Sequence, residues 1–176
     1  MSLNKPPWKK RREIPDSQVR DTAEQYDDAR LLLLRQPPSP GVLFPLLNTT
    51  AIAIELFLKS LSSELIHVPV ADFDGLSIVH ARPELKHHKL VDLFDNIPDD
   101  IRSQIETSFV NNTSSQAGIT LRDMLATYEG LFAASRYPFE PDFDITKYPL
   151  ESLMELTMFL RTFIANLEPT DRIEWS

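Results

Sequence analysis

Apolar positions recur along this chain at spacings of three and four, and prolines interrupt them. The longest such run is Leu47, Ala51, Ile54, Leu58, Leu61 and Leu65, with steps of 4, 3, 4, 3 and 4, the period of one helical face. Ile52, Leu56 and Phe57 widen that surface well past a single stripe, which predicts a helix from about 43 to 66 in the middle of the fold. Val19, Ala23, Tyr26, Ala29 and Leu33 define a stripe over 16–36, with Asp16 or Ser17 as its N-cap and Pro37-Pro38-Ser39-Pro40-Gly41 as its stop. A short helix is expected over 87–94, closed by Pro98. Ile101, Ile105 and Phe109 mark another helix behind Asp99 and Asp100. Leu121, Leu125, Tyr128 and Phe132 continue the pattern from Thr120 to the end at Ser135-Arg136-Tyr137-Pro138. The last helix, about 150–167, carries Leu153, Leu156, Leu160, Ile164 and Leu167 on one face, with Phe159 and Phe163 beside it. Pro149 suits its first turn and Pro169 follows its end.

Between His67 and Pro83 the helical period lapses, and the residues alternate loosely around Asp74-Gly75. That pattern predicts a short hairpin or an ordered loop. The predicted fold is all-α, an antiparallel bundle of about five helices over 16–168 with an irregular or hairpin insertion near 67–83. A basic tail, 1–15, precedes it and a C-terminal tail, 169–176, follows. Gly130 falls inside the helix that starts near Thr120. A glycine there costs about 1 kcal/mol relative to Ala, which close contact with a neighbour would offset.

Composition removes several classes of function. The 176 residues contain no Cys, which excludes disulfide scaffolds, cysteine-ligated metals and thiol catalysis and fits a reducing, cytoplasmic compartment. No unbroken apolar run reaches the roughly 18 residues of a membrane span. No apolar segment follows the basic start in the manner of a secretory signal, so no membrane association is expected. The net charge is −8, yet Lys5, Lys9, Lys10, Arg11 and Arg12 lie in the first twelve positions with no acid among them. The rest of the chain carries 13 of the 18 basic residues and all 26 acidic ones, a balance of −13. An acidic body does not suit general nucleic-acid binding, which needs basic surface to displace phosphate counterions. The basic run reads as a solvated, disordered terminus.

Six polar residues stand in apolar surroundings: Glu55, Lys59, His87, His88, Arg136 and Tyr137. Glu55 and Lys59 are four apart with the acid first, the orientation that favours an ion pair along a helix. Such a pair can simply neutralise itself beside the core. His87 and His88 are adjacent and project to different sides of a helix, whereas a metal site needs three or more converging ligands. No metal or other cofactor is therefore expected. Arg136, at a helix end, can bond the last carbonyls or clamp a phosphate or carboxylate.

Three segments, in order, carry a resemblance: Ala53-Ile54-Glu55-Leu56-Phe57-Leu58-Lys59-Ser60-Leu61, then His88-Lys89-Leu90-Val91-Asp92-Leu93-Phe94, then Ala134-Ser135-Arg136-Tyr137-Pro138. Together they resemble the HEPN (higher eukaryotes and prokaryotes nucleotide-binding) superfamily. Its members often show an E-L-x-L-K helix, an H-x-L-x-x-L segment and an R-Y-P element ahead of the last helix. The resemblance spans roughly residues 16–167 and implies a compact helical bundle that usually dimerises. Many members are metal-independent ribonucleases of toxin–antitoxin, phage-defence or RNA-processing systems, and others only bind nucleotides. The ribonucleases carry an Arg, a polar residue and then a His roughly four to six residues after the Arg, where His moves protons around the 2′-hydroxyl attack and Arg holds the phosphate.

Arg82 and His87 meet that spacing, as do Arg82 and His88 at one residue more. Pro83 occupies the polar position, and no His follows Arg136, where the motif ordinarily lies. The resemblance therefore implies a cytoplasmic homodimer without ribonuclease activity. It would bind a nucleotide, RNA or a protein partner such as a cognate antitoxin through Glu55, Lys59, His88, Arg136 and Tyr137. Lys59 and Arg136 would face phosphate, and Tyr137 would offer a stacking surface. One alternative is a metal-independent endoribonuclease acting through Arg82 and His87. The other is a structural dimerisation or interaction module.

Overall fold

The computed structural model describes residues 8–37, 40–69, 77–83, 88–112, 118–141 and 144–175. Strand β1 (Trp8–Ile14) leads into helices α1 (Ser17–Leu34) and α2 (Pro40–Ser60), followed by strands β2 (Ser63–Pro69) and β3 (Ser77–Pro83). Helices α3 (Leu90–Asp95), α4 (Asp99–Asn112), α5 (Leu121–Tyr128), α6 (Leu131–Arg136) and α7 (Leu150–Asn166) come next, and strand β4 (Thr170–Trp175) ends the chain. The body is the all-α helical bundle that the apolar pattern predicts. Five of its helices have eight or more residues, while α3 and α6 have six each.

Helix α2 lies at the centre, packed against α1, α3, α6 and α7. Leu47, Ala51, Ile54, Leu58 and Leu61 are buried as the stripe requires, together with Ala53 and Phe57. Burying each large apolar side chain contributes about 1.5–3 kcal/mol, so this one helix anchors much of the core. By length and composition Gly41–Ser60 also passes as a membrane span, although no unbroken apolar run reaches that length; its packing on four helices is that of a core helix. On the far side, Ile101, Ile105 and Phe109 of α4 meet Leu153, Leu156, Leu160 and Ile164 of α7 in the same core. Phe109 sets its ring edge against Phe159, with centroids 5.1 Å apart.

Four local outcomes differ from the pattern. Helix α2 stops at Ser60 rather than near 66, because Ser63 Oγ donates to the Lys59 carbonyl at 2.6 Å and the chain turns outward into β2. Helix α1 buries Val19 and Ala23 but then Asp27 and Arg30, leaving Tyr26 37% exposed. Asp27 is tolerated there because two guanidinium groups satisfy it. Arg30 Nε donates to one carboxylate oxygen at 2.5 Å, and Arg161 of α7 donates to the other at 2.5 Å. The stripe from Leu121 to Phe132 forms two helices rather than one, broken at Glu129-Gly130. A Cβ at Gly130 would meet the Tyr148 hydroxyl at 3.1 Å, so the close neighbour is a phenol.

The last difference lies at the termini. The predicted insertion is a hairpin: β2 and β3 pair antiparallel from Ser63 opposite Pro83 to Pro69 opposite Ser77, and Asp74-Gly75 lies outside the described residues. Both tails add to it. β1 pairs antiparallel with β4 and with β2, giving a sheet in the order β3-β2-β1-β4. In place of solvated ends, the basic segment supplies the strand Trp8–Ile14 and the segment after Pro169 supplies Thr170–Trp175. The ladder satisfies backbone groups that alternation of side chains would not have revealed, and Ile14 is fully buried in the core.

Where β1 hands over to α1, Asp16 caps the helix, accepting from the Gln18 and Val19 N–H groups at 3.0 and 3.1 Å. Its Oδ2 is buried without a partner, and burial raises its pKa above the ordinary 3.8 despite the two donors. A carboxyl raised in the folded state contributes stability that is full below its unfolded pKa and is lost as pH rises through the folded value. At neutral pH the ionised cap is therefore a cost. Asp16→Asn, which keeps the acceptor, should raise Tm at pH 7, with the gain vanishing towards pH 3. Asp16→Ala should lose about 1 kcal/mol of cap energy. Thermal unfolding across that pH range decides the matter, and an Asn variant less stable than wild type at pH 7 contradicts the assignment.

Candidate functional site

The residues singled out by the E-L-x-L-K, H-x-L-x-x-L and R-Y-P segments converge. Glu55 and Lys59, one turn apart on α2, are 7% and 8% exposed. Lys59 Nζ donates to Glu55 Oε1 at 2.6 Å. His88, just ahead of α3, places Nδ1 2.8 Å from both Glu55 oxygens. A carboxylate can only accept hydrogen bonds, so Nδ1 carries the hydrogen and Nε2 is the free ring nitrogen. The His88 side chain is 59% exposed. One buried carboxylate thus holds an ammonium on its inner side and an accessible imidazole on its outer side.

Helix α6 closes the other edge. Phe132 stacks on the His88 ring with centroids 5.3 Å apart and planes at 28°. The Arg136 guanidinium carbon lies 5.3 Å from the centre of that same Phe132 ring and 5.7 Å from the Tyr137 ring, within cation–π range. Tyr137 meets Phe139 edge-on at 6.2 Å, and both are exposed. Helix α6 is fixed against α2 by Asn48 Nδ2 donating to Ser135 Oγ at 3.2 Å. The turn before it is tied to α3 by the Val91 N–H donating to Glu129 Oε1 at 3.4 Å.

All five residues expected to bind nucleotide or phosphate, Glu55, Lys59, His88, Arg136 and Tyr137, therefore belong to one connected set. Their roles are not equal. The Lys59 charge is spent on Glu55 inside the protein, in place of the phosphate-facing role expected of it, and Arg136 is the exposed cation. From its place on the stripe Leu121 to Phe132, Phe132 reads as a core position, yet it links His88 to Arg136. Its signal was available in the sequence: an aromatic four residues ahead of an arginine is placed for a stacked contact on a helix. Arg82 stands on β3, opposite Glu64 in the register. His87 lies outside the described residues.

A second polar cluster is internally satisfied. In a cleft beside α4, Arg122 clamps Asp95 through two hydrogen bonds of 3.0 and 2.9 Å. Arg102 is bound by Asp99 and by the Asp95 carbonyl. The Arg122 hydrogen bond holds the Asp95 carboxyl below its ordinary pKa. Among the described residues no group of three or more His, Asp or Glu is arranged to hold a metal ion. No family model, curated protein or solved structure matches the chain.

Breaking a buried ion pair from one side leaves an uncompensated charge, which costs about 3–5 kcal/mol. Lys59→Met should accordingly destabilise the protein by about 3 kcal/mol, and His88→Ala, removing the accessible partner, by less than about 1 kcal/mol. Urea unfolding of the two variants separates them; equal losses would show that the imidazole, too, is a structural element.

Proposed function

We propose that the chain is a HEPN-like, homodimeric domain whose Glu55–His88–Phe132–Arg136–Tyr137 surface binds a nucleotide or single-stranded RNA. One observation carries this reading: an oriented imidazole and an exposed guanidinium share the Phe132 ring, each 5.3 Å from it. Arg136 supplies a charged donor for phosphate. Tyr137 and Phe139, 44% and 80% exposed, offer faces on which bases stack without sequence preference. His88 Nε2 adds a second polar contact whose direction Glu55 fixes. Lys59 holds the Glu55 carboxylate in place from the inner side. A cytoplasmic location, which the absence of Cys also suits, and a cognate protein partner belong to the same proposal.

The direct test is fluorescence anisotropy with a labelled single-stranded RNA. Stacking and charged contacts of this kind are worth about 1–3 kcal/mol each, so Arg136→Ala and Tyr137→Ala should each weaken binding about tenfold. Arg122, in the separate cleft beside α4, should be replaceable by Ala with far less effect. Wild-type affinity in both site variants refutes the proposal.

A second reading, metal-independent RNA cleavage, gains support from His88, the later of the two histidines at the required spacing from Arg82. The carboxylate–imidazole arrangement at Glu55 and His88 is what general acid–base chemistry needs. In that reading the 2′-oxygen bonds to phosphorus as the bond to the 5′-oxygen breaks. The 2′-hydroxyl proton passes to Nε2 and from the imidazolium to the leaving oxygen. RNA that yields 2′,3′-cyclic phosphate ends with wild type but not with His88→Ala would select this reading over simple binding.

A further inference from the structure

Away from that surface, a groove of ≈ 620 Å³ runs between α4 and α7, within the size range of small-molecule sites. Its apolar lining includes Met158, Phe159 and Phe163, with the two phenyl rings stacked at 6.2 Å between centroids. Glu155 is its charged lining residue, and Oε2 of that carboxylate is buried without a hydrogen-bond partner. Among the described residues no cationic side chain lines the groove. On the rim, Asn112 and Asn166 each spend an amide N–H on a carbonyl of their own helix, those of Ser108 and Thr162, at 2.8 Å. Asn112 also donates to Ser108 Oγ at 3.2 Å, so both rim amides are engaged within their own helices.

The features agree on sign. A carboxylate with no counter-ion among the described residues and the aromatic side chains beside it both favour a positive charge. The apolar lining favours an apolar body attached to it. We infer that the groove between α4 and α7 is a binding site for a small organic cation, an ammonium group on an aryl or alkyl body, with Glu155 as its counter-ion. This site shares no residue with the nucleotide surface, and its occupancy does not depend on that reading.

Calorimetric titration of the full chain with phenethylammonium, alongside uncharged 2-phenylethanol and anionic 3-phenylpropanoate, tests it. The ammonium should bind at least tenfold more tightly than the alcohol, and the carboxylate should not bind. Glu155→Gln should erase the preference for charge while leaving the alcohol's affinity unchanged, and Thr162→Trp, which fills the groove, should abolish binding of all three. Equal affinity for ammonium and alcohol, or a charge preference that survives Glu155→Gln, overturns the assignment. So does a blocked Lys-Phe dipeptide that binds more than tenfold tighter than phenethylammonium, which would give the groove to a protein partner's basic side chain. A Thr162→Trp variant that turns a dimer into a monomer by light scattering overturns it equally, by giving the groove to a second copy.

Discussion

A carboxylate in the middle of an apolar helix is expensive to keep ionised, and the arrangement around Glu55 follows from that constraint. Its position on α2 takes it out of water among Ala53, Ile54 and Phe57. Lys59, one turn on, supplies the opposite charge at 2.6 Å. That alone would make a closed, self-neutralising pair. The carboxylate has acceptor capacity beyond one ammonium, however, and the chain returns some thirty residues later to fill it with His88, whose ring stays largely in solvent. Glu55 is thereby both a structural anchor and the element that sets the direction of an accessible nitrogen. The short helix α6 completes the surface because Phe132 packs on that imidazole and carries Arg136 with it.

Much of this was legible in the sequence where a single physical rule operates. The apolar periods of α2, α4 and α7 located those helices to within a few residues, and the i,i+4 spacing of Glu55 and Lys59 announced their ion pair. Legibility failed where two rules compete. Tyr26 and Leu33 look like core positions on α1, but Asp27 and Arg30 take the buried face because Arg161 arrives from α7 to satisfy Asp27. The apolar stripe ran unbroken through Gly130, so a helix break was hidden by a pattern that both of its halves obey. Strand β1 shows no alternation at all; its Lys and Arg run is extended because β4 and β2 supply backbone partners from distant parts of the chain.

The candidate site shows the same division. The three segments that resemble the HEPN pattern named five residues, and these come together, yet the resemblance assigned Lys59 to phosphate when desolvation assigns it to Glu55. Phe132 escaped notice because an aromatic on an apolar stripe ordinarily signals core. Here it is both core at its edge and a platform at its face. The contrast with the α1–α7 network is instructive. Asp27 is as buried as Glu55, but both its partners are guanidiniums drawn inward or along the surface, so it holds two helices together and presents no oriented group of its own.

The central claim is that Glu55 holds His88 with Nδ1 protonated and Nε2 directed at a ligand. Nitrogen-15 NMR of the histidine side chains reads both halves of it. At pH 8 the account predicts His88 as the Nδ1–H tautomer, with its Nε2 resonance shifting on addition of a short single-stranded RNA while Nδ1 stays fixed. An Nε2–H tautomer in the free protein, or a His88 ring indifferent to RNA at saturating concentration, would contradict it.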